Sequence, residues 1–235
     1  MRILSYNLRH HQAVGELPAL VEEHGVDVVC VQEAYVDRLP ARIGRLELAA
    51  ATSTGLLGLA VYVRAERFAV TFHRAFRLKR GLHDLVFLPG TERLLAVRLV
   101  DRRSGERSTV ASFHAAPLTA TNVLRRHQVA AAHMLLEEIG DGDPILMVGD
   151  FNYPLFRSGL ERLVARDGFD VSVSDEPTYR HTASLSTHFD FLTSRGMGVE
   201  GVSTLPAGAS DHRPILVDAH VAVAGARIVE GVTAG

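Results

Sequence analysis

The sequence predicts an α/β fold: a four-layer sandwich in which two packed, mixed and mostly antiparallel β-sheets carry helices on their outer faces. Strand-like apolar or alternating runs outnumber helical patterns along the 235 residues. The run 26–31 reads as a strand that is buried on both faces, so it requires cover on both sides. The helical patterns are amphipathic, which is typical of helices packed outside a sheet. Together these observations favour two sheets packed face to face with helices outside them.

Each strand is predicted from a short apolar or alternating run bounded by turn residues. The predicted strands are 2–6, 26–31, 46–50, 58–64, 68–74, 84–88, 94–101, 108–114, 144–149, 187–194 and 214–221. Hairpin turns are predicted at 89–92 and 103–106, which both contain glycine. Between residues 46 and 113 the strands therefore form a predicted meander.

Helices are predicted at 16–24, 121–139 and 158–168 from their apolar periodicity. The apolar stripe of the longest is predicted to run through Val123, Ala130, Met134 and Leu135. Near its start, Arg125 and Gln128 lie about one turn apart. We expect these two polar side chains on the solvated face of the helix, because charged and amide side chains seldom enter a core.

Length and composition predict a single domain, residues 1–222, followed by a tail at 223–235 that is a loose end or an edge strand. A hydrophobic content of 47% with 22% charged residues is typical of a soluble globular protein. The only cysteine, Cys30, lies in an apolar run and permits no intrachain disulfide. The sequence shows neither a secretory leader nor a membrane-spanning run, so the expected location is cytoplasmic and the expected state a monomer.

Polar side chains that can carry chemistry stand at the ends of six predicted strands. They are Asn7, Glu33, His114, Asp150, Asn152, Asp190, Asp211 and His212. Taken alone, Asp150 and Asn152 fit an Asx-type turn equally well. The recurrence of the pattern predicts one polar cluster at one edge of the sandwich, on a rigid base where sites are commonly built.

A cluster of converging carboxylates predicts a bound cation. Without a positive charge among them, the carboxylates repel one another and their pKa values rise. The ligand set is rich in oxygen and no cysteine is near, which favours Mg²⁺ or Mn²⁺ over structural zinc. Glu33 is the best candidate for the primary metal ligand, with Asn7 and Asp211 nearby as further ligands.

Six short motifs carry a resemblance to a known family. They are SYN (5–7), VQE (31–33), SFH (112–114), GDFN (149–152), FDF (189–191) and SDHRP (210–214). In this order they resemble the endonuclease/exonuclease/phosphatase superfamily, which includes deoxyribonucleases, sphingomyelinases and inositol-polyphosphate 5-phosphatases. The resemblance spans residues 3 to about 218 and implies a four-layer α/β sandwich that cleaves phosphate esters with Mg²⁺.

The resemblance also implies a role for each matched residue, beginning with Glu33 on the metal beside Asn7 and Asp211. Asp150 would orient and activate the attacking water, and Asn152 would hold the phosphate or that water. Asp190 would pair with His212. His114 would donate to a phosphoryl oxygen or assist the leaving group. Either Asp150 or His212 fits the role of general base.

Two departures argue against the apurinic-endonuclease branch of that superfamily. Arg9 stands where that branch carries an acidic or amide side chain, and FHAAP (113–117) replaces its tyrosine-bearing motif. The net charge of −2 and the single basic cluster at 76–81 predict no extended basic surface, although nucleic acid stays among the candidate partners.

Several functions therefore fit the sequence. The first is a Mg²⁺- or Mn²⁺-dependent phosphodiesterase or nuclease, a hydrolase that cleaves phosphate esters by metal-assisted attack of water. An alternative enzyme is a phosphatase that acts on a phosphoinositide or another small phosphomonoester. A third reading is a non-catalytic binding module that keeps the fold; the presence of Glu33 and His212 argues against it.

Overall fold

A computed structural model describes residues 1–54, 56–80, 92–153, 157–182 and 185–222. The first sheet contains seven strands. In spatial order they are β14 (Met197–Thr204), β15 (Ile215–Val221), β1 (Arg2–Asn7), β2 (Val28–Ala34), β5 (Gly58–Val63), β4 (Leu46–Ala51) and β3 (Arg42–Ile43). The neighbours β1 and β2 are parallel, and the other listed pairs are antiparallel.

The second sheet contains six strands. In spatial order they are β10 (Asp170–Val173), β13 (Asp190–Arg195), β9 (Ile145–Asp150), β8 (Arg107–His114), β7 (Glu92–Asp101) and β6 (Phe68–Arg77). Here β8 and β9 are parallel and the other pairs antiparallel. A separate hairpin joins β11 (Tyr179–Thr182) to β12 (Leu185–Thr187). Both sheets are thus mixed and mostly antiparallel, which confirms the prediction.

Three α-helices cover the outer faces within the described ranges. They are α1 (Leu17–Glu23), α2 (Asn122–Gly140) and α3 (Arg157–Arg166), and short 3-10 helices lie at Gln12–Glu16 and Val36–Arg38. The side chains of β1, such as Ile3 and Leu4, alternate between the inter-sheet core and the core under α1. Against the second sheet, α2 and α3 pack through a third core cluster. These layers form the predicted four-layer α/β sandwich.

Most of the predicted strands and helices are present, and the part of the chain that the structure describes also contains five strands that were not predicted. The turn at 103–106 joins β7 to β8, with Gly105 in the left-handed region at φ 74°. The strand predicted at 84–88, most of the turn at 89–92 and the tail 223–235 lie outside the described residues. The unpredicted strands are β3, β10, β11, β12 and β14. They are short or, in β14, interrupted by two glycines that weaken the strand pattern.

The predicted apolar stripe of α2 is wrong. Val123 and Met134 are 67% and 71% exposed. The buried face instead includes Arg125, Gln128 and His133 beside its apolar residues, so three polar side chains enter the protein interior. Apolar periodicity cannot find such a face, because burial of polar groups depends on partners from other elements. No helix in the described part of the chain is long and apolar enough to cross a membrane.

His133 is an example of such a buried polar group. Its Nε2 lies 3.0 Å from Thr193 Oγ1, and its ring stacks on Phe169 at a centroid distance of 4.0 Å. Its Nδ1 lies 3.4 Å from Asp167 Oδ2. Burial lowers the pKa of His133 to about 4, although the hydrogen bond and charge of Asp167 act in the opposite direction.

We therefore expect stability to fall as the pH drops below the ordinary histidine pKa. Between pH 6.5 and 4 the unfolded chain binds a proton that the folded chain excludes, so the free energy of unfolding decreases as the pH decreases. The loss from this residue is about 2 kcal/mol between pH 7 and pH 5. Urea unfolding at both pH values should show a smaller decrease for His133→Gln than for the wild type. Equal decreases would show that His133 does not titrate in this way.

Candidate active site

Strand register in the second sheet brings three predicted site residues side by side. The central strand β9 ends at Asp150, which is in register with His114 of β8 on one side. On the other side it is in register with Asp190 of β13. Both pairings place the three side chains at one edge of the sheet. Backbone pairing between these strands therefore brings together three residues of the predicted polar cluster.

From the first sheet come Asn7 and Glu33, which face this edge. The Nδ2 of Asn7 donates to Glu33 Oε1 at 3.3 Å and to Asp150 Oδ2 at 3.0 Å, so it bridges the two sheets. Glu33 lies at a shift in the β2–β5 register and has a left-handed backbone, φ 54°. For a residue other than glycine this conformation costs roughly 1–3 kcal/mol and is typical of functional sites. The backbone N–H groups of His10 and His11 hold it by donating to Glu33 Oε2 and O.

Asp150 is the hub of the cluster. Its Oδ1 accepts the backbone N–H of Asn152 at 2.8 Å, and its Oδ2 accepts the side-chain Nδ2 of Asn152 at 3.1 Å. The Nε2 atoms of His114 and His212 lie 3.6 Å and 3.7 Å from Oδ2. Burial raises the pKa of Asp150, and nearby Asp190 acts in the same direction, whereas the two histidines oppose the shift. A carboxylate with a raised pKa is a better proton acceptor near neutral pH.

His212 and Asp190 form the pair that the sequence predicts. The His212 Nδ1 lies 2.7 Å from Asp190 Oδ2, and both side chains are buried. Burial alone would lower the pKa of His212, but the charges of Asp190 and Asp150 raise it to about 10. Ser210 holds the loop by donating to Asn7 O and accepting the N–H of His212. In this arrangement the ring of His212 is a cation at neutral pH.

The remaining two predicted residues occupy the edge of the cluster. Burial lowers the pKa of His114, although Asp150 and Glu33 act against this, so the ring is neutral at neutral pH. Its Nε2 lies 3.9 Å from Glu33 Oε1. Asp211 is more exposed, and its Oδ1 lies 3.9 Å from Arg9 Nε. Six of the eight residues line a cleft of about 710 Å³, namely Glu33, His114, Asp150, Asn152, Asp211 and His212, while Asn7 and Asp190 are buried beside it.

The donor set of the cluster suits a divalent cation. Glu33, Asp150 and Asp190 are mostly buried carboxylates, and a single cationic ring, that of His212, lies between Asp150 and Asp190. Ligand atoms of Asp150, Asp190 and His212 lie within 4.8 Å of one another. Because Asp190 Oδ2 and His212 Nδ1 already bond to each other, the carboxylate of Glu33 is the more available ligand. Asp190 Oδ1 has no hydrogen-bond partner within the described ranges.

Asn7 presents nitrogen rather than oxygen to the two carboxylates. Its Oδ1 accepts the backbone N–H of Arg9 at 3.0 Å, while its Nδ2 points at Glu33 and Asp150. In this arrangement the amide offsets part of the repulsion between the carboxylates. The ligand roles of Asn7 and Asp211 stay predictions.

Sequence reasoning placed Arg125 and Gln128 wrongly, since both are buried and hold the loop that follows His114. Arg125 donates from Nε to Ala116 O at 3.0 Å and from Nη2 to Pro117 O at 2.6 Å. Gln128 Oε1 accepts the N–H of Ala116 at 2.8 Å. The i, i+3 spacing that puts both on one helix face was the available signal. Their partners are backbone groups of a loop, which no side-chain pattern reveals.

Arg93 is another buried residue of this site that the sequence did not indicate. Its Nη1 donates to the carbonyl oxygens of His114 and Ala115 at 3.1 Å and 2.9 Å. Its charge contributes to the lowered pKa of His114, after the larger effect of burial. Arg93 therefore supports the end of β8 and helps to keep the His114 ring neutral.

Comparison with known protein families shows the family to which this chain belongs. The model of the endonuclease/exonuclease/phosphatase family matches residues 4–212. The chain belongs to this family. Membership in the endonuclease/exonuclease/phosphatase family agrees with the order of the six motifs, and its members are hydrolases that act on phosphate esters. A search of curated proteins found no match.

Solved structures of the endonuclease/exonuclease/phosphatase family share the fold at low sequence identity. A mannosyl-6-phosphatase of Bacteroides thetaiotaomicron is 16% identical with a TM-score of 0.73, and the match covers 94% of this chain and 99% of that one. The human Nocturnin catalytic domain with bound sulfate is 17% identical, with a TM-score of 0.72 and 94% of both chains covered. D. rerio TDP2 in complex with a single-strand DNA product is 15% identical with a TM-score of 0.72, and the match covers 94% of this chain and 98% of that one.

Proposed function

We propose that the protein is a phosphodiesterase that uses Mg²⁺ or Mn²⁺ to direct water at a phosphate ester. The observation that carries the proposal is the position of Asp150, which accepts hydrogen bonds from Asn7 and Asn152. Its Oδ2 also lies within 3.7 Å of two imidazole rings, the neutral ring of His114 and the cationic ring of His212. A proton acceptor, a cation and a neutral imidazole thus surround one point of the cleft. This is the set of groups that phosphoryl transfer to water requires.

The proposed metal site is built on Glu33, with Asn7 and Asp211 beside it. The pKa of Glu33 is lowered: burial opposes ionisation, but the neighbouring His114 ring and hydrogen bonds from Asn7 and His10 outweigh it. The carboxylate is therefore ionised and ready to bind a cation at neutral pH. When bound, the ion would neutralise charge on the phosphoryl oxygens and make the phosphorus more electrophilic.

The other residues divide the proton and charge chemistry. Asp150, with its raised pKa, accepts a proton from the attacking water, and Asn152 orients that water or the phosphate. His212, kept cationic by Asp190, stabilises negative charge on the phosphoryl oxygens. His114 donates a hydrogen bond to a phosphoryl oxygen or to the leaving group. This division favours Asp150 over His212 as the general base, because a cationic ring cannot accept a proton.

A panel of substrates tests the proposal. With Mg²⁺ or Mn²⁺, we expect hydrolysis of bis(p-nitrophenyl) phosphate to exceed that of p-nitrophenyl phosphate, and Asp150→Asn to abolish most of it. Single-stranded and duplex DNA belong in the panel at low and moderate salt, because a long electrostatic footprint would show steep salt dependence. Preference for the monoester would favour a phosphatase. Absence of turnover on every substrate would favour the non-catalytic reading.

A further inference from the structure

The cleft is lined by both polar and apolar residues around the catalytic cluster. Its polar lining includes Arg9, His10 and Gln12. Its aliphatic lining consists of Leu57, Leu59, Pro117 and Leu118. We refer to these four residues as the apolar wall. Leu59 lies in β5 of the first sheet and Leu57 just before that strand, whereas Pro117 and Leu118 follow β8 of the second sheet, so separate parts of the sequence contribute these residues.

The apolar wall continues into side chains that are open to solvent. Leu118 is 42% exposed, and Leu56, next to Leu57, is 69% exposed. A single exposed leucine needs no explanation, since much of any protein surface is apolar. Several apolar residues that line one cleft are different, because apolar surface beside polar groups in a cleft is typical of binding sites.

Polar anchors hold the first leucine-bearing loop in place. The carboxylate oxygen Oε2 of Glu92, at the start of β7, accepts the backbone N–H groups of Ser53 and Thr54 at 2.7 Å and 2.9 Å. Thr52 pairs with Leu59 through the bonds Thr52 N to Leu59 O and Leu59 N to Thr52 Oγ1, both 3.0 Å. Glu92 of the second sheet thereby holds Ser53 and Thr54, and Thr52 holds Leu59, on the two sides of Leu57 in the sequence.

The adjacent residue, Arg93, fixes the second loop. Arg93 donates hydrogen bonds to the carbonyl oxygens of His114 and Ala115. Arg125 donates to the next two carbonyl oxygens along the chain, those of Ala116 and Pro117. The chain just before Leu118 is thus held by buried side chains. Because hydrogen bonds hold the backbone at Leu59 and just before Leu118, a ligand need not order these parts of the apolar wall.

We infer that the apolar wall binds an apolar group esterified to the substrate phosphate, so that the preferred substrate is a phosphodiester with an alkyl or aryl substituent. The inference rests on the proposed phosphodiesterase function and names its substrate class. The wall and the catalytic residues line the same cleft, so one ligand can contact both. A fully buried methylene should strengthen binding about fourfold, and a partly buried one about twofold.

The test uses methyl n-alkyl phosphates, from ethyl to hexyl, as competitive inhibitors of p-nitrophenyl phosphodiester hydrolysis. We expect the inhibition constant to fall about two- to fourfold per methylene. Leu57→Ser and Leu118→Ser should flatten this dependence. Met134→Ser is the matched control, because Met134 is an exposed apolar residue of α2 that does not line the cleft. An inhibition constant that is independent of chain length in the wild type overturns the inference.

Two further measurements separate the possible failures. Replacing the terminal methyl of the hexyl ester with a hydroxyl should weaken binding, which tests the apolar contact without any protein variant. Calorimetric titration of the same series in the presence of Mn²⁺ measures binding without turnover. Chain-length dependence without hydrolysis overturns the proposed phosphodiesterase function, whereas hydrolysis without chain-length dependence overturns only the apolar site.

A pair of phosphodiesters identifies the source of the apolar group. Dihexanoyl-phosphatidylcholine in monomeric form carries two alkyl chains, and glycerophosphocholine has the same head group without them. Faster hydrolysis of the former assigns the apolar wall to a lipid. If only the soluble alkyl esters respond to chain length, the apolar group belongs to a water-soluble phosphodiester.

Discussion

Asp190→Asn is expected to lower kcat for phosphodiester hydrolysis by about 10²–10³-fold, the range for losing one group that stabilises negative charge developing in the transition state. The substitution keeps the size of a buried side chain and can preserve a hydrogen bond to His212 Nδ1. What it removes is the negative charge that keeps the ring cationic. The loss should therefore appear mainly in kcat, because the cation acts on charge that develops during the reaction.

The strongest form of this test is a double-mutant cycle. His212→Gln should cost about as much as Asp190→Asn, and the double variant little more than either one, because the pair acts as a unit. Asp170→Asn is the matched control, since Asp170 is an exposed aspartate on β10, the strand beside β13. Urea unfolding of each variant separates lost catalysis from lost folding. Multiplicative losses would show that the two residues act independently.

The sequence was sufficient to predict the polar cluster because strand pairing alone brings several of its residues together. Asp150 directly ends the apolar run of β9, and parallel pairing with β8 then puts His114 beside it. Antiparallel pairing with β13 puts Asp190 on its other side. His114 and Asp150 stand where β8 and β9 end, and Asp190 stands where the antiparallel β13 begins, so all three lie at the same edge of the sheet.

The supporting shell could not be predicted in the same way. Arg93, Arg125 and Gln128 satisfy backbone groups of the loop that follows His114, and such contacts depend on where a helix lies against a sheet. By composition alone these are surface residues. The left-handed backbone of Glu33 could not be predicted either, since the local sequence VQEA does not indicate the register shift at which Glu33 lies. Packing, rather than local pattern, decides both features.

Glu33→Gln is the second substitution with a large expected effect. It removes one full ligand charge, so we expect the Mg²⁺ concentration for half-maximal activity to rise by about 10–100-fold or more, with activity partly recovered at high Mg²⁺. EDTA should abolish wild-type activity and Mn²⁺ or Mg²⁺ should restore it. Titration calorimetry with Mn²⁺ measures the loss of affinity directly, and Glu23→Gln, an exposed glutamate at the end of α1, is the control.

The stability of the same variant distinguishes a metal ligand from a structural carboxylate. Without metal, burial opposes ionisation of Glu33, but the nearby His114 ring and hydrogen bonds from Asn7 and His10 outweigh it and lower its pKa, so the folded protein stabilises this carboxylate. Removing the charge of Glu33 should then lower stability in EDTA slightly, while the stabilisation by Mg²⁺ becomes much smaller. Thermal unfolding with and without Mg²⁺ measures both. If Glu33→Gln instead leaves the stabilisation by Mg²⁺ intact, Glu33 holds the fold rather than the ion.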